Sequence, residues 1–181
     1  MWKRAATALI VIALASCGKV AKDQSMNDNA AIARFSLSSG DLAKGQPIPV
    51  AFTCDGTDRS PAFNWDEPPE GTRSLALIAD DPDAHSGLFR HWGMYDIPAS
   101  ARSVSSGQSL GKEAINDFGK AGYGGPCPPK GHGPHHYHFK LYALDVEALG
   151  LGDDPKVADV EKAAKQHAIG EAELVAIYER K

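Results

Sequence analysis

The chain has 181 residues, 43% of them hydrophobic and 23% charged, with a formal net charge of −4. That leaves room for one domain of ordinary globular composition plus a terminal tail, and it excludes a wholly disordered chain. The acidic balance, with no basic stripe in any segment, argues against a nucleic-acid partner, and three cysteines without CxxC spacing are too few for a disulfide scaffold or a structural zinc site.

Residues 1–16 are predicted to be a signal peptide. Lys3 and Arg4 form a basic start, and Ala5 through Ala15 are apolar apart from Thr7. The stretch is too short to span a bilayer and suits a signal core. It ends in Leu14-Ala15-Ser16-Cys17, which resembles a bacterial lipoprotein box with Cys17 as the lipidated first residue of the mature chain. The alternative is an ordinary secretory signal, and either route delivers the chain to the cell envelope, facing the periplasm. Residues 17–33, rich in Lys, Asp, Asn, Gln and Ala, are expected to form a flexible tether holding a domain of residues 34–181 off the membrane. With Cys17 used for lipid, Cys54 and Cys127 remain. In an oxidising compartment they form a plausible disulfide, the alternative being two buried thiols.

Within the domain, Pro47 to Thr53 starts as an edge-like strand, since its prolines cannot donate ladder bonds. Leu75 to Ala79 is a short apolar run and a buried strand, and His91 to Ile97 is another, closed by Pro98. His135 to Asp145 alternates with both faces apolar, which predicts a central strand. A helix is expected next, with Asp154 as N-cap, Pro155 at N1 and Gly170 as its stop. Ala172 to Arg180 closes the chain as a strand. The sum is a mainly β fold, an antiparallel β-sandwich with short peripheral helices, one of them near the C-terminus.

Two loops stand out, residues 80–85 (Asp80-Asp81-Pro82-Asp83-Ala84-His85) and the Gly/Pro-rich stretch of residues 119–134. Loops of this composition let the backbone approach a ligand closely at little entropic cost. Asp81 at one strand end, His91 opening the next, and His135 with Tyr137 opening a third can line one pocket. Strand alternation separates His135 and Tyr137 from His136 and His138. Two imidazoles, a phenol and a carboxylate that orients a ring can hold an anion such as phosphate when the imidazoles are protonated.

The run Asp81-Pro82-Asp83-Ala84, His91-Trp92, Gly119 with Gly122-Tyr123-Gly124-Gly125-Pro126, Pro128-Pro129-Lys130-Gly131, and His135 with Tyr137 resembles the phosphatidylethanolamine-binding protein family, most closely its bacterial Raf-kinase-inhibitor-like branch. Ser60-Pro61, Trp65 and Pro68-Pro69-Glu70-Gly71-Thr72 fit that branch as well. The resemblance implies a central antiparallel sheet, a second smaller sheet, and a pocket for phosphate-like groups, phospholipid headgroups included. It adds Asp83 and the Cys127–Pro128 backbone to the expected ligand-binding set of Asp81, His91, His135 and Tyr137. Two residues depart from the family motifs. His85 stands where a proline is usual, so a trans bond or a rearranged loop is expected there. His136 stands where an arginine is usual, which removes a permanently charged donor. The expected function is that of an exported, non-enzymatic binding protein for a small anion, without cofactor or metal, that modulates a partner protein. The alternatives are an inhibitor of an envelope or host protease or kinase acting through the pocket rim, and a His-rich metal-binding protein.

Overall fold

The computed structural model describes residue 2 and residues 32–181. The predicted signal peptide, the lipidation site Cys17 and most of the tether lie outside the described residues. Nine strands and one α-helix follow one another there: β1 (Ala33–Arg34), β2 (Leu37–Ser38), β3 (Phe63–Trp65), β4 (Ser74–Asp81), β5 (Phe89–Pro98), β6 (Ser103–Val104), β7 (Lys112–Glu113), β8 (His135–Leu144), α1 (Val157–His167) and β9 (Ala168–Tyr178). They build a six-stranded sheet in the order β1-β9-β8-β4-β5-β7 and a three-stranded sheet in the order β2-β3-β6. Pairing is antiparallel throughout except for β1 on β9, and β1 begins at Ala33, the last residue assigned to the tether.

All eight residues of β4 are buried, as a strand covered on both faces must be. On one face Leu75, Leu77 and Ala79 join Phe139 and Leu141 of β8 and Phe63 and Trp65 of the small sheet in the main core. On the other, Ala76 and Ile78 pack with Tyr142 and with Val157, Val160 and Ala164 of α1. The helix lies so close over β5 that a Cβ on Gly93 would meet Val157 Cγ2 at 2.9 Å. Hydrophobic periodicity thus sets which face of each long strand is shared with which layer.

Three predicted boundaries are corrected. Pro47 to Thr53 is not a strand: Ile48 donates to Ile177 O beside the end of β9, and the chain then tightens into a 3-10 turn over Val50–Phe52. Asp154 does not cap α1. It adopts a left-handed φ of 49°, and residues 155–157 pair with Ile115 instead, so that Ile115 O accepts from the N–H of Val157 and satisfies the helix start. Gly170 does not stop the helix either. The chain passes directly from His167 into β9, where Gly170 lets Pro69 approach within 2.6 Å of the missing Cβ position. Cys54 and Cys127 are joined in a disulfide across 73 positions, with Cα atoms 5.5 Å apart.

Candidate functional site

Three strand ends meet at one edge of the large sheet. β4 runs out at Asp81, which pairs with Phe89 at the start of β5, and β8 opens at His135 on the other side of β4. The pairing of β4 with β5 breaks step between Ala79, opposite Trp92, and Asp80, opposite Arg90. His91 is the extra residue of this bulge. Regular alternation would turn it away from the face occupied by Trp92. The bulge re-aims it, so that its ring stands edge-on to Tyr137 with centroids 5.2 Å apart.

Each imidazole is anchored through Nδ1. His91 Nδ1 lies 2.7 Å from the Gly124 carbonyl, and His135 Nδ1 lies 2.7 Å from Asp81 Oδ2. Both acceptors are obligate, so both Nδ1 atoms carry a proton. Asp81 Oδ1 accepts from the Asp83 N–H at 2.8 Å, which occupies the carboxylate from both ends. Neither Nε2 has a partner among the described residues, and neither is among the buried atoms left unpaired, so both open onto the cavity. The Tyr137 hydroxyl is buried and has no hydrogen-bond partner among the described residues. Burial, reinforced by the Asp81 carboxylate, pushes its pKa well up, so it remains a neutral donor. Burial pushes His91 the opposite way, below the ordinary imidazole range, against the upward pull of Gly124 and Asp81.

The cavity is about 280 Å³. Asp81, His91, Cys127, Pro128, His135 and Tyr137 all line it. Asp83 does not. It faces outward, held by the N–H and the Nδ1 of His136, and that imidazole keeps its carboxyl below the ordinary range. His136, standing where an arginine is usual, forms a surface pair with Asp83. His85 lines the cavity on a trans peptide. The residues missed by sequence reasoning are mostly walls: Phe89, Phe118 and Pro129, with Phe89 and Phe118 in edge contact at 4.8 Å. Nothing in the local pattern of Phe118 marks it as pocket-forming; its approach depends on Gly124, whose Cβ would lie 2.6 Å from the ring.

Among the described residues no lysine or arginine lines the cavity, and burial lowers the His91 pKa, which works against the expected imidazolium donor at that ring. The rings of His85 and His132 are 5.9 Å apart and those of His132 and His135 6.1 Å. Even so, among the described residues no group of three or more His, Cys, Asp or Glu is arranged to hold a metal ion.

Residues 38–179 match the family model described as phosphatidylethanolamine-binding protein. The chain belongs to the phosphatidylethanolamine-binding protein family. A UPF0098 protein of Aquifex aeolicus is 46% identical over 148 residues, 78% of this chain and 86% of that one. LppC of Mycobacterium tuberculosis, described as a candidate lipoprotein, is 42% identical over 147 residues, 80% of this chain and 72% of its own length. The crystal structure of YbcL from Escherichia coli, described as a new member of the mammalian PEBP family, superposes with a TM-score of 0.77 at 34% identity, covering 81% of this chain and 99% of that chain. The two-sheet, mainly β architecture is therefore that of the phosphatidylethanolamine-binding protein family, and the strand-end cavity is a feature of this member's fold.

Proposed function

We propose that this member of the phosphatidylethanolamine-binding protein family is a lipid-anchored envelope protein that binds a small anionic, phosphate-like group without turning it over. The anchor rests on the lipoprotein box at Cys17, and the description of the related LppC supports it. The pocket reading is carried by one observation above all: two imidazole Nε2 atoms open onto a cavity lined by Asp81 and Tyr137, with the Tyr137 hydroxyl buried in its wall and without a hydrogen-bond partner among the described residues. A buried donor left unpaired costs about 1–3 kcal/mol, and a ligand oxygen recovers that. His135, backed by Asp81, supplies the second donor, while Phe89, Phe118 and Pro128 exclude water and strengthen both bonds.

Titration of the full chain with phosphate, followed by NMR of the histidine side chains at pH 5.5 and pH 8, tests this. The His135 and His91 ring signals are expected to move on saturation at pH 5.5, with weaker binding at pH 8. Tyr137→Phe is expected to weaken phosphate about tenfold while leaving the fold intact or slightly more stable. Equal affinity at both pH values, or an unaffected Tyr137→Phe protein, would remove the basis for the reading. A second role, inhibition of an envelope or host enzyme through the pocket rim, is favoured by Phe118, which lines the cavity yet is 47% exposed.

A further inference from the structure

Resting on the anion-pocket reading, we propose that His91 is a specificity-determining hydrogen-bond acceptor, so that the pocket selects singly charged phosphoryl groups that retain an acidic O–H. The class comprises dihydrogen phosphate and hydrogen phosphomonoesters. It excludes oxyanions of the same shape with no proton to give.

The polarity of the ring follows from its surroundings. Its Nδ1 proton is committed to the Gly124 carbonyl at 2.7 Å, and a carbonyl oxygen only accepts. Its Nε2 opens onto the cavity without a protein partner. The ring is 4% exposed and packed edge-on against Phe118 and Tyr137, with Phe89 at 5.0 Å. The charged or dipolar groups that act on it are the Asp81 and Asp117 carboxylates and the backbone at Gly124 and Gly125, all of which favour a cation. Removal from water outweighs them, and the ring stays neutral. Nε2 therefore presents a lone pair.

The rest of the cavity is donor-bearing. With Nδ1 committed to Asp81, the His135 ring donates from Nε2 only when it carries both protons; the Tyr137 hydroxyl is a buried neutral donor, and Asp81 has both oxygens engaged by Asp83 and His135. An oxyanion that meets the Tyr137 hydroxyl and a doubly protonated His135 ring finds two donors and, at His91, one acceptor. A fully deprotonated oxygen there sets lone pair against lone pair. A P–OH turns the same contact into a hydrogen bond. Sites built to pair with a ligand hydroxyl penalise analogues lacking it, because a buried polar atom is then left unpaired.

The test uses the full chain with methyl phosphate, methyl sulfate and inorganic phosphate, titrated calorimetrically at pH 6 and pH 8. Methyl sulfate has the shape and single charge of methyl hydrogen phosphate but no proton. A phosphomonoester loses its second proton around pH ~6. At pH 6 methyl phosphate is expected to bind at least about tenfold more tightly than methyl sulfate, and at pH 8 that advantage should vanish. Equal affinity of the two methyl esters at pH 6 overturns the role of His91 while leaving the anion pocket standing. Absence of binding by all three ligands overturns both. Within the supporting result, a preference for methyl phosphate over inorganic phosphate assigns the ligand to esters, and the reverse assigns it to free phosphate. His91→Phe, which keeps an aromatic ring but no acceptor, should bind the two methyl esters alike. The comparison on the unaltered chain stands on its own if that variant does not fold.

Discussion

Burial acts in opposite senses on the two polar rings that meet at the base of the cavity. It holds the Tyr137 phenol protonated and favours the His91 imidazole with a single proton, so both are neutral at pH 7, one a donor and the other, at Nε2, an acceptor. The His91 shift has a stability consequence of definite sign. Its folded pKa lies below the ~6.5 of an unfolded histidine, so between those values the unfolded chain binds more protons. Stability gained from the neutral ring is complete above pH ~6.5 and is lost as pH falls through the folded value. Urea unfolding of the wild type at pH 7.5 and pH 5 should show a larger drop in midpoint than His91→Phe shows over the same interval, since the carboxylate titrations are common to both. An equal drop would mean that the His91 ring is already charged in the folded protein. The residue identities of the pocket were legible in the sequence, because Asp81, His91, His135 and Tyr137 stand at strand ends beside Gly/Pro-rich loops. The downward pKa shift of His91 was not, because it depends on Phe89 and Phe118 packing against the ring from two separate segments.

Among the elements, the long strands were legible and the short ones were not. β4, β5, β8 and β9 have enough alternating or continuous apolar residues to announce themselves. Strands β1, β2, β6 and β7 have two residues each, and no periodicity exists over two residues. The start of α1 was misplaced for a related reason: Asp154-Pro155 has the chemistry of a helix start, but the backbone there is recruited by Ile115 across the sheet edge. The seat of that helix gives a prediction. Because a Cβ at position 93 would contact Val157 Cγ2 at 2.9 Å and Ala114 Cβ at 3.3 Å, Gly93→Ala should lever α1 off β5 and cost about 1–3 kcal/mol in denaturant unfolding. A change under about 0.5 kcal/mol would show that α1 shifts freely and contributes little to holding β5 in place.

At the scale of the whole molecule, the large sheet supplies the core, and long-range ties hold the pocket wall against it. The Cys54–Cys127 bridge is one; Gly125 N to Asp58 Oδ1 and the Tyr123 hydroxyl to Phe52 O are others. Closing a loop of 73 positions stabilises by roughly 4 kcal/mol on the chain-entropy account. Unfolding midpoints with and without a dithiol reductant should therefore differ by an amount of that order, and coincident curves would assign the wall's rigidity to the hydrogen bonds alone. The Cys54–Cys127 pairing was one of two readings of the sequence, the other being two buried thiols, and it rested on an expected oxidising compartment and on the use of Cys17 for lipid. That Cys127 also forms part of the cavity depended on the motif resemblance, since composition says only that the loop is rich in turns. The bulge in β5 has a consequence for sequence length. The cavity depends on one surplus residue between Phe89 and Trp92, so a chain shortened by a single amino acid there would have a better-paired sheet and an emptier pocket, with the imidazole swung to the opposite side. In this fold, regularity of the ladder and possession of the cavity's imidazole are alternatives.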